Sequence, residues 1–308
     1  GKYLITGVRG QEVKSLSEEA LFDTNEMTSS KRYLHTPSEF ARKKLIYVQE
    51  TGKLKSIKPH VSSRSNLESY LFMVVMSGNG RVSFDGKDYS VKAGDCAFID
   101  CRRSYEHCSG DDSQWELMWV HMDGALLRDY YGIFLEKNGG SPVFKAADIK
   151  KYSGIIDEVM SNQDEKDITS EYVSHNLLTN LVTTMLVEII NEDNKKLNPD
   201  ILNSIRESVN ARFKEEDLLE SVCGEYGMDE IAINRQFKDK YGIDLCDYIL
   251  NRRFNCAKEL LRFSVKPVKE IVVESGIMNT DLFRHLFIEN EGMTAEEYRK
   301  KWAQWNRG

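Results

Sequence analysis

Residues 45–122 alternate short apolar runs with turn signals, which is the pattern of a β-sheet domain. Residues 70–76 and 96–99 are rich in β-branched, aromatic and other apolar side chains, as strands in a packed sheet are. Asp85-Gly86 stands between two further apolar runs, where it predicts a two-residue β-hairpin turn. Strands this short, at regular spacing, predict a β-sandwich or a small β-barrel.

The hydrophobic period changes to that of a helix after residue 148. Apolar residues recur at three- and four-residue spacing over residues 152–160 and again over residues 173–189, which predicts two amphipathic helices. The polar run 192–199 predicts a linker, and the segments that follow are helical. The chain is therefore predicted to place a β-rich domain first and an all-α domain last.

One pattern occurs twice in the all-α part. In each copy a short helix ends at a glycine, a longer helix follows, and the longer helix ends at another glycine. The four glycines are Gly227, Gly242, Gly276 and Gly292. Because glycine takes the positive φ of a tight turn, each copy predicts a helix-turn-helix unit, whose second helix can enter the major groove of DNA.

Composition and charge restrict where the chain works and what it binds. With 41% hydrophobic and 30% charged residues it is a globular protein and not a disordered one. The apolar stretch 177–190 is too short and too polar to span a bilayer, and we expect a cytoplasmic protein without membrane contact. Residues 197–308 carry 17 basic and 20 acidic side chains, so DNA binding there depends on how the basic residues are distributed.

Motifs of a known family occur within residues 200–300. The matching residues are Tyr248, Ile249, Arg253, Phe254, Ala257, Leu260 and Leu261 in a connecting helix, and Gly292, Met293, Thr294, Glu297, Tyr298 and Arg299 in a terminal motif. On these motifs the chain resembles the AraC/XylS family of bacterial transcription regulators. The resemblance implies that residues 229–240 and 279–290 are recognition helices for double-stranded DNA. The residues that it places at the DNA are Ile231, Ala232, Asn234, Arg235, Lys238, Asn279, Thr280, Arg284 and His285.

Several positions depart from the family pattern. Ile288 stands where lysine is usual, and Ala232 stands where an aromatic residue is common. Asp281 would repel DNA phosphate, so we expect the first recognition helix to bind more strongly than the second. These departures keep an alternative open, namely a ligand-binding or assembly protein whose DNA-binding domain is degenerate.

The strand region resembles the cupin-like effector domain of the same family, on residues 86–95, 97–99, His107 and 115–121. Many cupins are metalloenzymes, and their first motif contains His-x-His, which this chain lacks. In the second motif only His107 lies near a ligand position, whereas a catalytic metal needs three or four ligands. We predict no catalytic residue, no metal and no cofactor, and a metal-dependent cupin enzyme is the less favoured alternative.

The cupin-like domain is predicted to bind a small-molecule effector. Strand alternation places Trp115, Leu117, Trp119 and His121 on one face. Aromatic rings beside hydrogen-bonding groups suit the C–H face and the hydroxyls of a sugar, and an arginine suits an anionic or polyhydroxylated group. The predicted ligand-binding residues are Arg64, Tyr105, His107, Trp115, Trp119 and His121. The alternative for each aromatic residue is that it fills a core.

The helix over residues 170–191 is more apolar than one packed face requires. It packs wholly within its own domain or pairs with its copy in a homodimer, and the resemblance favours the homodimer, with Leu177, Leu178 and Leu181 at the seam. The resemblance also suggests an N-terminal arm over the pocket, with Tyr3, Arg9, Arg32 and Tyr33 in it.

The predicted fold class is α+β and multidomain. The predicted domains are an N-terminal arm (1–34), a cupin-like effector-binding barrel (35–147), a helical dimerisation segment (148–191), a linker (192–199) and an all-α double helix-turn-helix domain (200–308). The function expected from these parts is a ligand-responsive, sequence-specific transcription regulator that senses a sugar or a similar small molecule.

Overall fold

The structure is a computed structural model that describes residues 28–56, 60–110, 114–164, 167–194 and 199–303. The chain divides into two compact units, Gly1–Asn191 and Glu192–Gly308. Within the described ranges the first unit contains ten strands and four helices, and the second contains seven helices.

The strands of the first unit form two antiparallel sheets. The strands are β1 (Thr28–Leu34), β2 (Tyr47–Ser56), β3 (Val61–Arg64), β4 (Tyr70–Ser77), β5 (Asn79–Phe84), β6 (Lys87–Lys92), β7 (Asp95–Asp100), β8 (Tyr105–Ser109), β9 (Glu116–Asp123) and β10 (Val143–Lys145). The larger sheet has the order β1-β2-β9-β4-β7-β10 and the smaller has the order β3-β8-β5-β6. In the described part of the chain no ladder joins the two sheets, so the domain is a pair of packed sheets rather than a closed barrel.

The predicted hairpin is confirmed at the turn between β5 and β6. Phe84 pairs with Lys87, and the two turn residues Asp85 and Gly86 have φ values of 52° and 77°. Positive φ at both central positions gives the turn the twist that matches the flanking strands.

Helices cover the outer face of the larger sheet. They are α1 (Glu39–Lys44), α2 (Leu127–Lys137), α3 (Ile149–Asp164) and α4 (Ser170–Asn194). Phe72 of β4 points to this side, where its ring stacks on Tyr152 of α3 with 5.6 Å between centroids. Leu71 and Met73 of the same strand point to the other side, toward the smaller sheet. Because both faces of β4 are covered, its sequence is an uninterrupted apolar run.

Helix α4 corrects the predicted dimer seam. Leu178 and Leu181 are completely buried in the core of their own domain, together with Val182 and Met185, so they cannot face a second copy. The exposed side of the helix carries Val173 and Val187 among its polar residues instead. By length and composition alone, Ser170–Asp193 would suffice to cross a membrane. One side of the helix nevertheless packs into the domain as a core helix does.

Two predicted segments extend beyond the described residues. Residues 28–34 of the predicted arm form β1, which pairs with β2 along its whole length. Tyr3 and Arg9 of the same arm lie outside the described residues, as do residues 195–198 of the predicted linker. The linker residues 192–194 are the last turn of α4.

The second unit contains two helix-turn-helix units joined by a long helix. Its helices are α5 (Pro199–Arg212), α6 (Leu218–Tyr226), α7 (Glu230–Tyr241), α8 (Leu245–Phe263), α9 (Val268–Glu274), α10 (Thr280–Glu291) and α11 (Ala295–Trp302). The predicted recognition helices are α7 and α10. Each begins one residue later than predicted, because Asp229 and Asn279 are N-caps whose side chains accept hydrogen bonds from the backbone N–H groups of Ala232 and Leu282.

The turn between α9 and α10 depends on Gly276. Its φ is 82°, and a Cβ atom at this position would lie 2.7 Å from Cα of Lys214. Both the backbone conformation and the close approach therefore exclude other residues.

Candidate functional site

A cavity that opens to solvent lies between the two sheets of the first unit. Twelve residues line it: Arg32, Glu50, Leu54, His60, Ser62, Arg64, Leu71, Met73, His107, Leu117, Trp119 and His121. The lining combines one apolar wall with several hydrogen-bonding and charged groups, which is the composition of a small-molecule site.

Strand register brings the lining of the larger sheet together. Trp119 of β9 stands opposite Gly52 of β2 and Met73 of β4, and Gly52 stands opposite Arg32 of β1. Opposite residues point to the same face. A Cβ atom at position 52 would lie 2.8 Å from Cζ2 of Trp119, so only glycine allows the indole to lie over β2. The Arg32 guanidinium lies 5.5 Å from the centroid of the indole.

The edge strand of the smaller sheet supplies the opposite wall. Ser62 of β3 stands opposite His107 of β8, and Arg64 stands opposite Tyr105. His60 precedes Ser62 by two positions, which puts it on the same face. The side chains of His60, Ser62 and Arg64 all reach the cavity.

Four of the six predicted ligand-binding residues line the cavity, namely Arg64, His107, Trp119 and His121. Tyr105 and Trp115 do not. Both are fully buried, and the rings of both have centroids 6.0 Å from the His107 ring. Trp115 also packs against Gly80, where a Cβ atom would lie 2.4 Å from Cζ3 of the indole. Trp115 and Tyr105 therefore fill the core behind His107.

Sequence reasoning missed several residues of the lining. His60, Ser62 and Glu50 were not predicted, and Arg32 was placed only in a suggested arm. Residues 60, 62 and 64 are two positions apart, so strand alternation places His60 and Ser62 on the same face as the predicted Arg64. The sequence shows no comparable signal for Glu50, since its place depends on how β2 pairs with β9.

Glu50 is the one carboxylate among the lining residues, and it has two partners. Its Oε1 lies 3.2 Å from Nε of Arg32 and accepts a hydrogen bond from Nε1 of Trp119 at 3.1 Å. Glu50 therefore links the indole of Trp119 to Arg32 on the larger sheet.

The histidines of the cavity are held in the neutral form. Burial lowers the pKa of His107 to about 3 and that of His121 to about 4, and the positive charge of Arg64 adds to both shifts. The pKa of His60 is lowered as well, chiefly by burial. A neutral imidazole carries one donor and one acceptor nitrogen, so each ring can bind a hydroxyl group in either direction.

We expect the stability of the first unit to fall as the pH drops from about 6.5 to about 4. His107 and His121 have folded-state pKa values of about 3 and about 4, below the unfolded value, so the unfolded chain takes up more protons in this range. The stabilisation is complete above the unfolded pKa and is lost as the pH falls. Urea denaturation at pH 7.5 and pH 4.5 measures the loss. The loss of stability between the two pH values should be smaller in His107→Gln than in the unmodified chain. In His285→Gln it should equal that of the unmodified chain, since His285 is exposed on α10. An equal loss in both variants would contradict the assignment.

No metal centre is evident at the cavity. Across the ranges that the structure describes, no three side chains of His, Cys, Asp or Glu lie close enough together to hold a metal ion.

Helix α7 presents three of its five predicted DNA contacts to solvent. Ile231 is 82% exposed, and Arg235 and Lys238 are exposed beside it. Asn234 faces the protein, because its Oδ1 accepts a hydrogen bond from the backbone N–H of Cys246 at 3.3 Å. Ala232 is half-buried at the first turn. The predicted contacts that α7 exposes are thus one apolar side chain and two cations. Lys238 lies 3.4 Å from Asp244, and Glu230 and Asp239 are exposed on the same helix.

Helix α10 exposes Thr280, Arg284 and His285, and each of the last two contacts a carboxylate. Arg284 contacts Asp281 at 3.0 Å, and His285 lies 3.4 Å from Glu289. The side chain of Asn279 is used as the N-cap. Lys238 of α7 has an acidic partner as well, so the two helices differ at Arg235, for which the described residues provide no carboxylate within ion-pair distance.

Several other arginines of the second unit hold its helices together. Arg212 pairs with Glu215 and Glu225, Arg253 donates to the carbonyl groups of Phe213 and Glu215, and Arg299 donates to that of Lys266. These three side chains contribute to packing, so fewer cations than the sequence suggests remain for DNA.

Comparisons with known proteins agree with this arrangement. A sequence profile described as the AraC-like ligand binding domain matches residues 52–163, and one described as a helix-turn-helix domain matches residues 222–301. The chain is 22% identical over 231 residues to the lactose operon transcription activator of Staphylococcus xylosus, covering 73% of this chain and 82% of that protein.

The chain is also similar to a second relative and to a solved structure. The chain is 21% identical over 243 residues to the transcriptional activator RhaR of Yersinia pseudotuberculosis, covering 75% of this chain and 82% of that protein. The solved structure of the AraC-like transcriptional activator CuxR is 16% identical, with a TM-score of 0.34, and the match covers 74% of this chain and 86% of that one.

Proposed function

The chain belongs to the AraC family of ligand-responsive, DNA-binding transcription regulators, and on this premise we propose that it senses a sugar or a similar small molecule as a homodimer. The effector binds in the cavity of the first unit, and double-stranded DNA binds to α7 and α10. The observation that carries the proposal is the cavity itself, whose polar groups converge from both sheets.

The residues that line the cavity support a polyhydroxylated effector. Nδ1 of His60 and Nδ1 of His107 are buried, and neither has a hydrogen-bond partner among the described residues. A buried polar atom without a partner costs free energy. These two atoms have almost no accessible surface, so a ligand hydroxyl would bond to them only after the imidazole rings turn toward the cavity. The apolar side chains of Leu71, Met73 and Leu117 offer contacts to the C–H groups of a sugar. One relative, the lactose operon activator, is named for a sugar operon.

The proposal is tested first on DNA. Binding of the full chain to a random duplex, titrated with salt, should give a negative slope of log affinity against log salt, because bound phosphates release counterions. Selection of bound fragments from a random pool should then enrich one sequence. A flat salt dependence and no enrichment would favour the alternative of a degenerate DNA-binding domain, for which the acid-paired surface of α10 is the specific observation.

We expect the two cations of α7 to play different parts in DNA binding. Arg235→Ala should weaken binding to the selected site by about 1–3 kcal/mol and relax one base position, since arginine can bond a guanine edge at two atoms. Lys238→Ala should weaken all sequences alike and reduce the salt slope by about one unit. Lys87→Ala, on an exposed strand of the first unit, is the control. If Arg284→Ala is far more damaging than Arg235→Ala, α10 is the leading recognition helix.

The exposed side of α4 supports a homodimer of defined geometry. Val173 is 41% exposed and Val187 is 59% exposed, and Asn180 lies midway between them on the same side of the helix. An antiparallel pair of α4 helices centred on Asn180 would place Val173 of one copy against Val187 of the other. This surface replaces the leucine seam that the sequence predicted.

A further inference from the structure

The lining of the cavity contains two arginines and one carboxylate. Arg32, Glu50 and Arg64 are the charged residues of the lining, and Glu50 is already paired with Arg32 and bonded by Trp119. Arg64 donates from Nη1 to the carbonyl of Ser63 at 2.9 Å. In the described part of the chain, no carboxylate lies within ion-pair distance of Arg64. Arg64 is exposed at the mouth, and among the three charged lining residues it is the one without an ion-pair partner.

This charge acts on the interior of the cavity although the Arg64 side chain lies at the mouth. It lowers the pKa of His107 and of His121, two residues on opposite walls. It also opposes the burial that raises the pKa of Tyr105, which lies behind His107. The position follows from strand register, which sets Arg64 in line with Ser62 and His60 along the cavity. An anion bound between the walls would therefore meet this guanidinium.

We propose that the effector is a monosaccharide that bears a carboxylate, a sugar acid, whose carboxylate pairs with Arg64 and whose hydroxyls bond to His60 and His107. The inference rests on the proposed function and names the ligand class of the same cavity. A neutral sugar would bind without an ion pair to Arg64. A carboxylic acid without hydroxyls would leave Nδ1 of His60 and of His107 buried without partners.

The experiment compares matched probes by isothermal titration calorimetry on the full chain. The probes are D-glucuronate and D-galacturonate, their neutral parents D-glucose and D-galactose, and hexanoate as a carboxylate without hydroxyls. At least one uronate should bind at least tenfold more tightly than its neutral parent, and hexanoate should bind more weakly than that uronate. Arg64→Gln should remove the preference for the acid. Arg81→Gln should retain it, because Arg81 is exposed on β5 and pairs with Asp88.

Each contrary result overturns the inference. Equal binding of acid and neutral parent, binding of hexanoate as tight as that of the uronates, or an acid preference that survives Arg64→Gln would each do so. Binding of none of the uronates would also overturn it. Failure of the sugar-acid inference can be distinguished from failure of the proposed function. The salt-titrated DNA binding is measured without any sugar, so it tests the regulator function separately. If only a neutral sugar bound, the sugar-acid inference would fail and the sensor function would stand.

Discussion

Replacing Leu181 with glutamate is expected to destabilise the first unit by more than about 3 kcal/mol. Leu181 is completely buried among Leu178, Val182 and Met185 in its own domain. A carboxylate there must either lose its hydration or take up a proton. Urea denaturation followed by circular dichroism measures the loss, and an unfolded or molten first unit is the extreme outcome.

Val187→Glu is the matched control on the same helix. Val187 is 59% exposed, so the substitution should leave the free energy of unfolding nearly unchanged. The same variant tests the homodimer, because two new carboxylates would lie in the proposed antiparallel contact. Sedimentation should therefore show a folded monomer. A folded, stable and dimeric Leu181→Glu variant would contradict both the burial of Leu181 and its consequence, and a dimeric Val187→Glu variant would place the interface elsewhere.

Replacing Trp119 with alanine is expected to cost about 3–5 kcal/mol of stability and to abolish effector binding. The indole is buried over Gly52, bonds to Glu50 and lies beside Arg32, so its removal leaves a void at the cavity and separates groups that it holds together. Chemical denaturation measures the stability, and calorimetry with the sugar panel measures the binding.

Trp302→Ala is the control for this substitution. Trp302 is 47% exposed on α11 and contacts Arg262 at its surface, so its removal should cost less than about 1 kcal/mol. Effector affinity should not change in this variant. Unaltered effector binding in a folded Trp119→Ala variant would refute the cavity as the effector site, whatever its stability.

The order and type of the elements could be predicted because they depend on near neighbours in the chain. Asp85 and Gly86 form the predicted hairpin since both tolerate positive φ, a property of the residues themselves. Helices α7 and α10 appear where predicted because Asp229 and Asn279 cap them and glycines end them. The family motifs depend on the same short-range spacing, and the profile matches agree with them.

The cavity could be predicted only in part. Alternation along β9 correctly put Trp119 and His121 on the face that lines the cavity. Trp115 also packs between the sheets, with its ring 6.0 Å from that of His107, but it lies over Gly80 and fills the core instead of lining the cavity. His60 and Glu50 reach the cavity through β3–β8 and β2–β9 pairing, which joins residues far apart in the sequence.

Hydrophobic period, caps and turn glycines act over a few residues, so the succession of sheet, helices and paired helix-turn-helix units can be deduced from the sequence. Contacts between distant residues set which side of α4 is buried, which carboxylate pairs with Arg32, and which arginine at the cavity has no ion-pair partner. When a helix has apolar residues on more than one side, its sequence does not show which of those sides packs into the core of its domain. Likewise, the balance of charge in the cavity depends on side chains that strand pairing brings together from β1, β2 and β3.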